Sequence, residues 1–392
     1  MTSPRPILIV NKNTPTASEV FGRLGSVRPL TSEEMTRETV KDADILIVRS
    51  ETTVDRPLLE GSKVRFVGTV TIGTDHCDLQ YLRSQGITFA SAPGSNANSV
   101  AEYVTAALLS LGKKMGQQLR GRSIGIVGVG SVGKKVERMA KVLGLTVLLN
   151  DPPLQRLTGD PAYRPLDELM EADFVTLHIP LTHEGEDATY HLFDESRLLK
   201  MKKESVLINT SRGGVVDGSA LKSALHSHHL STAILDVWEG EPRIDVALLD
   251  NVMAGTPHIA GYSLDGKLNA VRMVAEKVAQ FLGVPFEHIS EPVGKVKSEV
   301  RIDVPQPGGR VEEQLYHIVR HAYDIELDDS MLRKIILMPA EEQGSHFMKL
   351  RSEYRTRREF ENWIVAVPEE EGELNQILKD LGFRMGSKRQ IS

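Results

Sequence analysis

Three segments of the chain carry side chains suited to removing a proton from a hydroxyl group beside a carboxylate. They are NTSRGGVVD with Arg212, LDVWEGEP with Glu241, and TPHIAGY with His258. An arginine binds a carboxylate through two parallel hydrogen bonds. A histidine accepts a proton near neutral pH, and a neighbouring carboxylate stabilises the imidazolium and fixes its orientation. Each segment follows an apolar stretch typical of a strand, so we predict that all three meet at the carboxyl edge of one parallel sheet.

Each of these residues also has a structural interpretation when it is taken alone. Arg212 could serve as an ion-pair partner, Glu241 as a solvated loop acid, and His258 as a hydrogen-bonded core histidine. Their joint occurrence after apolar strands, downstream of a glycine-rich loop, favours the catalytic interpretation.

The glycine-rich loop has the spacing G-x-G-x-x-G at Gly128, Gly130 and Gly133. An apolar strand precedes it, an amphipathic helix follows, and the next apolar strand leads into Asp151. This context is typical of a dinucleotide site, in which the glycines permit a tight turn, close approach of the pyrophosphate and helix–strand packing. A carboxylate at Asp151 binds ribose hydroxyls and repels a 2′-phosphate, so the sequence predicts NAD rather than NADP. The alternative is a glycine-rich turn without a ligand.

Alternating strands and helices must position these residues. In the first hundred residues we predict helices over Ala17–Leu24 and Leu79–Gln85, and a parallel sheet covered on both faces. Its predicted strands are Ile7–Val10, Ile45–Val48, Phe66–Thr69 and Thr88–Ala90.

A second series follows an apolar helix predicted over Ala101–Leu111. Its helices include Val132–Leu143, and its six strands match one doubly wound sheet. A long helix over Leu268–Leu282 then leaves this sheet. The six predicted strands are Ser123–Val127, Thr146–Leu149, Phe174–His178, Ser205–Asn209, Ala233–Val237 and Val252–Gly255.

Beyond Val284 the composition changes. Gly294–Gly309 is rich in Val, Pro and Gly and is interpreted as a linker, and the rest as a separate small α+β module. We predict helices there over Val311–Tyr323 and Leu374–Leu381, and strands over Ile335–Met338 and Trp363–Val367. A basic run in this tail, interpreted as a solvated face, consists of Arg351, Arg355, Arg357 and Arg358.

Composition excludes several classes of protein. The 392 residues contain one cysteine and carry a net charge of -6. An internal disulfide is therefore impossible, and nucleic-acid binding is not expected. No apolar stretch is long enough for a signal segment or a membrane span, so we expect a cytoplasmic protein. His226, His228 and His229 lack cysteine or carboxylate partners at ligand spacing, so no metal site is expected.

The blocks GIVGVGSVG, HIPLT, NTSRGGVVD, LDVWEGEP and PHIAGY resemble the D-isomer-specific 2-hydroxyacid dehydrogenases over about residues 1–285. The resemblance implies an α/β fold with a Rossmann NAD domain over 99–262. It also implies a discontinuous, flavodoxin-like substrate domain over 1–98 and 263–288. Arg212 would bind the substrate carboxylate, His258 would act as acid and base, and Glu241 would support it. The implied cofactor contacts are Gly128, Gly130, Ser131, Val132, Gly133, Asp151, Ile179, Thr210, Ser211, Arg212, Asp236 and Gly261.

A closer resemblance within that family involves VRSETTV, FVGTVTIGTDHCD and the tail segments LRKIILMP and FMKLRSEYRTRREF. It implies a phosphorylated four-carbon hydroxy acid as substrate and a small α+β dimerisation domain over 289–392, hence a homodimer. One tail arginine could then reach the substrate phosphate across the dimer. The implied substrate contacts are Ser50, Thr71 and Tyr262. Arg49 ends a predicted strand and precedes Ser50, so it is a further candidate ligand for a phosphate or carboxylate, the alternative being a surface ion pair.

The sequence departs from the family pattern in places. Ser95 and Ser211 stand where cysteine is common, and Ile179 stands where a hydroxylated residue is common. None of these changes removes a catalytic group. Two alternatives remain open: another member of the family, of the phosphoglycerate type, or an NAD-sensing binding protein similar to transcriptional corepressors.

Overall fold

A computed structural model describes residues 5–286, 300–303, 310–367 and 371–386. The chain divides into two compact units. The first unit comprises Met1–Asn96 and Ser263–Lys297, and the second comprises Ala97–Tyr262 and Ser298–Ser392. Most of the interpreted linker Gly294–Gly309 lies outside the described residues.

The first unit is built on a five-stranded parallel sheet in the order β2-β1-β3-β4-β5. The strands are β1 (Ile7–Asn11), β2 (Ser26–Leu30), β3 (Ile45–Val48), β4 (Phe66–Thr69) and β5 (Thr88–Ala90). The helices are α1 (Ala17–Gly22), α2 (Arg37–Val40), α3 (Arg56–Leu59), α4 (Leu79–Ser84) and, from later in the chain, α12 (Leu264–Leu282).

Helices cover both faces of this sheet, which explains why its central strands are continuous apolar runs. One apolar cluster joins the sheet to α1 and α12, and another joins it to α2, α3 and α4. Gly68 in β4 is required for the contact with α12, because a Cβ there would lie 2.5 Å from Val274 Cγ1. The four predicted strands are confirmed.

The second unit contains a six-stranded parallel sheet in the order β11-β10-β9-β8-β6-β7, which confirms the predicted doubly wound architecture. Its strands are β6 (Ser123–Val127), β7 (Thr146–Asn150), β8 (Phe174–Leu177), β9 (Val206–Asn209), β10 (Thr232–Leu235) and β11 (Ala254–Gly255). Its helices are α5 (Ala97–Met115), α6 (Ser131–Val142), α7 (Pro152–Thr158), α8 (Leu166–Leu169), α9 (Glu195–Lys200), α10 (Gly218–His226) and α11 (Val246–Asn251).

The C-terminal segment belongs to the second unit and adds a three-stranded parallel sheet in the order β12-β13-β14. Its strands are β12 (Val300–Asp303), β13 (Trp363–Ala366) and β14 (Arg384–Met385), and its helices are α13 (Val311–Ala322), α14 (Ile325–Arg333), α15 (Ala340–Ser352) and α16 (Gly372–Leu381). Side chains of α13 and α16 share one apolar core with α5 and α6. The division into three domains at residues 98, 262 and 288 stays a prediction.

One predicted strand in this segment is wrong. Residues 334–337 form a 3-10 helix rather than part of a strand over Ile335–Met338. The turn buries Ile335 completely and leaves Leu337 92% exposed. A short apolar run has no clear period, so its sequence cannot distinguish a strand from a helical turn.

Within the described residues, no helix has both the length and the apolar character needed to cross a membrane.

Candidate active site

The glycine-rich loop joins β6 to α6, and each of its three glycines has different surroundings. Gly128 has a φ of +89°, and a Cβ there would lie 2.6 Å from the carbonyl oxygen of His178. A Cβ on Gly133 would lie 2.0 Å from the carbonyl oxygen of Gly128. Gly130, by contrast, faces open space and begins α6 without a side-chain cap. The first N–H groups of a helix have no partner within it, so this helix start can bind a phosphate.

Asp151 at the end of β7 shapes the same loop. Its Oδ2 accepts from the Val129 N–H at 2.8 Å, and its Oδ1 accepts from the Leu154 N–H at 3.0 Å. The open space at Gly130, the uncapped start of α6 and this carboxylate together fit a bound NAD, with Asp151 on the ribose side.

His178 fastens the loops after β8 and β9. Its Nε2 lies 3.0 Å from Thr176 Oγ1 and its Nδ1 lies 3.1 Å from Thr210 Oγ1. Burial lowers the pKa of His178 to about 3, so the ring stays neutral. Its two hydrogen bonds therefore join the segments that carry Ile179 and Arg212.

Arg212 lies in the turn after β9, and buried Asn209 organises that turn. Asn209 Oδ1 accepts from the N–H and the hydroxyl of Ser211, and its Nδ2 donates to the Arg212 carbonyl at 3.0 Å. The turn packs closely on the segment before Glu241, since a Cβ on Gly213 would lie 2.0 Å from the main chain of Trp238. The Arg212 turn and the Glu241 loop are thus neighbours.

Glu241 and His258 form the hydrogen-bonded pair that the sequence predicts. His258 Nδ1 lies 2.8 Å from Glu241 Oε2, and Glu241 Oε1 accepts from the Trp238 N–H at 2.8 Å. Burial alone would raise the pKa of Glu241. The charge and hydrogen bond of His258, the Trp238 N–H and the charge of Arg351 outweigh burial and lower that pKa. An ionised Glu241 therefore fixes the ring so that Nε2 is left to exchange a proton with a ligand.

Asp236 holds the loop that carries His258. Its Oδ1 accepts from the Ile259 N–H at 2.7 Å and from Thr256 Oγ1 at 2.6 Å, and its Oδ2 accepts from the Ala260 N–H at 2.9 Å. The His258 N–H donates to the Asp236 carbonyl at 2.7 Å. The sequence predicts Asp236 as a cofactor contact, and the bonds of its carboxylate show that it supports the loop that carries His258.

The first unit places Arg49 at the end of β3, beside the segment that follows β1. Arg49 Nη1 donates to the Asn13 carbonyl at 3.5 Å, and its Nη2 lies 3.3 Å from Glu51 Oε1. The sheet order reverses between β1 and β3, and ligands bind at such a switch point. Thr71 Oγ1 donates to the Gly73 carbonyl at 2.8 Å, and Ser50 is exposed.

Lys267, which no sequence motif singled out, lies in the first turn of α12. Burial and the nearby charge of Arg49 lower its pKa to about 8. Two cations are thus kept close together in the first unit. The segment SLDGK predicts a helix start, because Ser263 is a typical N-cap residue, and this places Lys267 in the first helical turn. In the structure Ser263 Oγ accepts from the Gly266 N–H at 2.8 Å.

The arginine run of the tail is not simply a solvated face. Arg357 is buried, which corrects that interpretation, and Arg355 pairs with buried Asp328. Arg351 Nη2 donates to the Tyr262 hydroxyl at 3.2 Å, and its guanidinium lies 5.8 Å from the centre of that ring. Arg351 and Arg357 therefore contact residues that directly follow His258 in the same chain, Tyr262 and Ala260 respectively.

No group of three or more His, Cys, Asp or Glu side chains in a metal-binding arrangement occurs among the residues that the structure describes.

Comparison with known proteins places this site in a family. Residues 95–260 match the D-isomer specific 2-hydroxyacid dehydrogenase NAD binding domain, and residues 301–382 match a domain of unknown function. The erythronate-4-phosphate dehydrogenase of Salinibacter ruber is 43% identical over 93% of this chain and 95% of its own length. That of Marinobacter nauticus is 41% identical over 97% of this chain and 99% of its own.

Solved structures agree with this placement. The D-lactate dehydrogenase of Aquifex aeolicus, complexed with NAD and lactic acid, covers 71% of this chain and 95% of its own. It is 26% identical, with a TM-score of 0.58. The chain therefore carries an NAD-binding domain of the 2-hydroxyacid dehydrogenase type, as the sequence predicts.

Proposed function

This chain belongs to the erythronate-4-phosphate dehydrogenases, and on that premise we propose that it oxidises 4-phospho-D-erythronate to (R)-3-hydroxy-2-oxo-4-phosphooxybutanoate, a step in pyridoxal 5′-phosphate biosynthesis. The observation that carries the chemistry is the bond between ionised Glu241 and His258, on a loop that Asp236 anchors. About two residues in five are identical to those of the erythronate-4-phosphate dehydrogenases over nearly the whole chain, which supports this choice of substrate.

In this mechanism the substrate carboxylate binds Arg212 through its planar guanidinium. His258 Nε2 takes the hydroxyl proton as the C2 hydrogen leaves with its electron pair. The start of α6 and Asp151 would hold NAD, which would accept the hydride. Glu241 stabilises the imidazolium that forms, because its own charge lies 2.8 Å away.

The remaining residues bind and orient. Arg49, Ser50 and Thr71 contact the phosphorylated part of the substrate, and Tyr262 adds a further substrate contact. Backbone contacts to the cofactor come from Ser131, Val132, Ile179, Thr210, Ser211 and Gly261. A backbone contact at Ile179 does not require the hydroxyl that relatives carry there.

The test is a steady-state assay of NADH formation with 4-phosphoerythronate, 3-phosphoglycerate and D-lactate as substrates. We expect the highest kcat/KM with 4-phosphoerythronate and loss of kcat in His258→Ala. His226→Ala is the matched control, since His226 is an exposed residue at the end of α10 whose ring bonds to the Lys222 carbonyl. Absence of turnover by the wild type, or full activity of His258→Ala, would refute the proposal. A preference for 3-phosphoglycerate would assign the chain to another reaction of the family.

We also propose that the chain forms a homodimer through the C-terminal segment. Support comes from its exposed apolar side chains: Leu337 is 92% exposed, and Leu327 and Met348 are also exposed. Analytical ultracentrifugation should show a dimer that Leu337→Lys dissociates. Leu157→Lys, at an exposed apolar residue of α7, should leave it intact.

The single buried Cys77 supports a reducing compartment, in keeping with a cytoplasmic location.

A further inference from the structure

Arg357 of the C-terminal segment is buried against the loop that carries His258. Its side chain is 1% exposed. The guanidinium donates from Nη1 to the Ala260 carbonyl at 3.2 Å and from Nη2 to the Ser99 carbonyl at 2.7 Å. It also lies 3.9 Å from the centre of the Tyr323 ring. One cation thus joins the start of α5, the His258 loop and the C-terminal segment.

The loop that it contacts needs external support. His258 has a φ of +57°, a backbone conformation that residues other than glycine rarely adopt. Such a backbone persists only when its surroundings hold it in several places. Asp236 accepts the N–H groups of Ile259 and Ala260, and Arg357 donates to the carbonyl of Ala260. Residue 260 is therefore held on both sides, by an anion on its N–H and a cation on its carbonyl.

The charge of Arg357 is itself held in place. Glu102 Oε2 lies 3.5 Å from Nη2, and the Glu102 side chain is fully buried. Glu102 Oε1 accepts from the Phe360 N–H at 2.7 Å and from Asn98 Nδ2 at 2.9 Å. The same Asn98 donates to Glu359 at 2.9 Å. The guanidinium therefore cannot turn away from Ala260 without leaving buried polar groups unsatisfied.

We propose that Arg357 is a positioning residue for hydride transfer, through which the C-terminal segment holds the His258 loop in its reactive conformation. The inference rests on the proposed 2-hydroxyacid dehydrogenase chemistry. It gives the segment matched by a domain of unknown function a part in the reaction within a single chain. Arg357 touches neither substrate nor cofactor in this account, since it acts through the main chain of Ala260.

The experiment compares Arg357→Met and Arg357→Lys with Arg333→Met. Arg333 is a matched control, because it also lies in the C-terminal segment and donates to two main-chain carbonyls, those of Leu249 and Val252. Both Met variants should unfold at lower temperature than the wild type. Measured well below those temperatures, kcat should fall about 10- to 100-fold only in Arg357→Met, because small displacements of reacting groups cost rates of this order.

Two further readouts separate positioning from general stability. The affinity for NAD should be unchanged in Arg357→Met, whereas the isotope effect with substrate deuterated at C2 should rise, because hydride transfer becomes rate-limiting. Arg357→Lys, which keeps a buried cation, should recover part of kcat. If no Arg357 variant folds, Glu102→Gln decides. Glutamine has one acceptor oxygen where Glu102 uses two, so either the guanidinium or the Phe360 N–H loses its acceptor, and kcat should fall in the same way.

The inference is overturned by wild-type kcat in Arg357→Met, by an equal loss in Arg333→Met, or, where Arg357 variants do not fold, by wild-type kcat in Glu102→Gln. All variants are assayed with whichever 2-hydroxy acid the wild type oxidises. Failure of the wild type on 4-phosphoerythronate alone would therefore count against the proposed substrate and not against the role of Arg357.

Discussion

Glu241 performs two tasks with its two carboxylate oxygens. One accepts from the Trp238 main chain at 2.8 Å and the other pairs with His258 at the same distance. The first bond fixes the carboxylate, and the second gives the imidazolium a buried counter-charge. Because the pKa of Glu241 is lowered, the charge is present throughout the neutral range.

Glu241→Gln should keep the shape of the side chain and remove its charge. We expect kcat to fall roughly 10²-fold, in the range typical of lost acid–base assistance, with NAD affinity unchanged. The control is Glu239→Gln, which removes a nearby carboxylate that pairs with His191 instead. Equal loss in both variants, measured by steady-state kinetics, would argue against a specific role for Glu241.

Lys267 makes the first unit sensitive to pH. Its pKa of about 8 lies below the usual lysine value, so the ammonium loses its proton as pH rises through that point. If it helps Arg49 to attract the substrate phosphate, KM for phosphoerythronate should increase above about pH 8. Binding of the phosphate favours the charged form and should be accompanied by proton uptake in that range.

Lys267→Met should show the high KM at every pH, whereas Lys277→Met, at an exposed residue of the same helix, should behave as wild type. Kinetics across the range around pH 8 and calorimetry in buffers of different ionisation enthalpy measure the two effects. A KM independent of pH in the wild type would exclude Lys267 from phosphate binding.

At the scale of elements, the start of α6 joins folding to cofactor binding. Gly133 is confined by the Gly128 carbonyl, whereas Gly130 faces open space. The same motif therefore contains one glycine needed for packing and another that leaves open space where we propose that the pyrophosphate binds.

Alanine substitutions should separate these two requirements. Gly133→Ala places a Cβ 2.0 Å from a carbonyl oxygen and should lower Tm as well as abolish NAD binding. Gly130→Ala should leave Tm unchanged and weaken NAD binding, since its Cβ meets no protein atom within 4 Å. Thermal unfolding and NAD titration measure both quantities, and a normal NAD affinity in Gly130→Ala would contradict the predicted pyrophosphate position.

At the scale of the whole molecule, the C-terminal segment and the nucleotide-binding sheet share one apolar core. Ile318 and Phe360 lie in the same buried cluster as Leu108 and Val104 of α5. Arg333 and Asp329 add hydrogen bonds to main-chain groups around β11. The second unit should consequently unfold as one cooperative body.

Ile318→Ala should destabilise that whole unit by about 2–4 kcal/mol, because Ile318 is fully buried and the cavity cannot be refilled. Added NAD should raise the midpoint temperature of the same transition, since a ligand stabilises the cooperative unit that contains its binding site. Leu157→Ala, at an exposed side chain of α7, should have little effect. Calorimetry that resolved a separate transition, affected by Ile318→Ala but not by NAD, would show an independent C-terminal domain.

Features that depend on local pattern could be predicted from the amino-acid order alone. Apolar runs bounded by polar residues predicted ten of the strands in the two larger sheets, and glycine spacing predicted the tight loop between β6 and α6. The strand β2 escaped because it lies at the edge of its sheet, where Ser26–Leu30 is mostly exposed and includes a proline. The Glu241–His258 pair was predictable because strand ends in a parallel sheet meet at one edge.

The residues that support that pair, by contrast, are recognised only in the folded chain. Arg357 lies 97 residues from Ala260 and 258 from Ser99, and Asp236 lies 23 from Ile259. No helical or strand periodicity links positions so far apart in the chain. The residue type alone does not distinguish a buried arginine from a solvated one. Their roles follow from burial and hydrogen-bond geometry, since a buried charge must find partners wherever the fold places them.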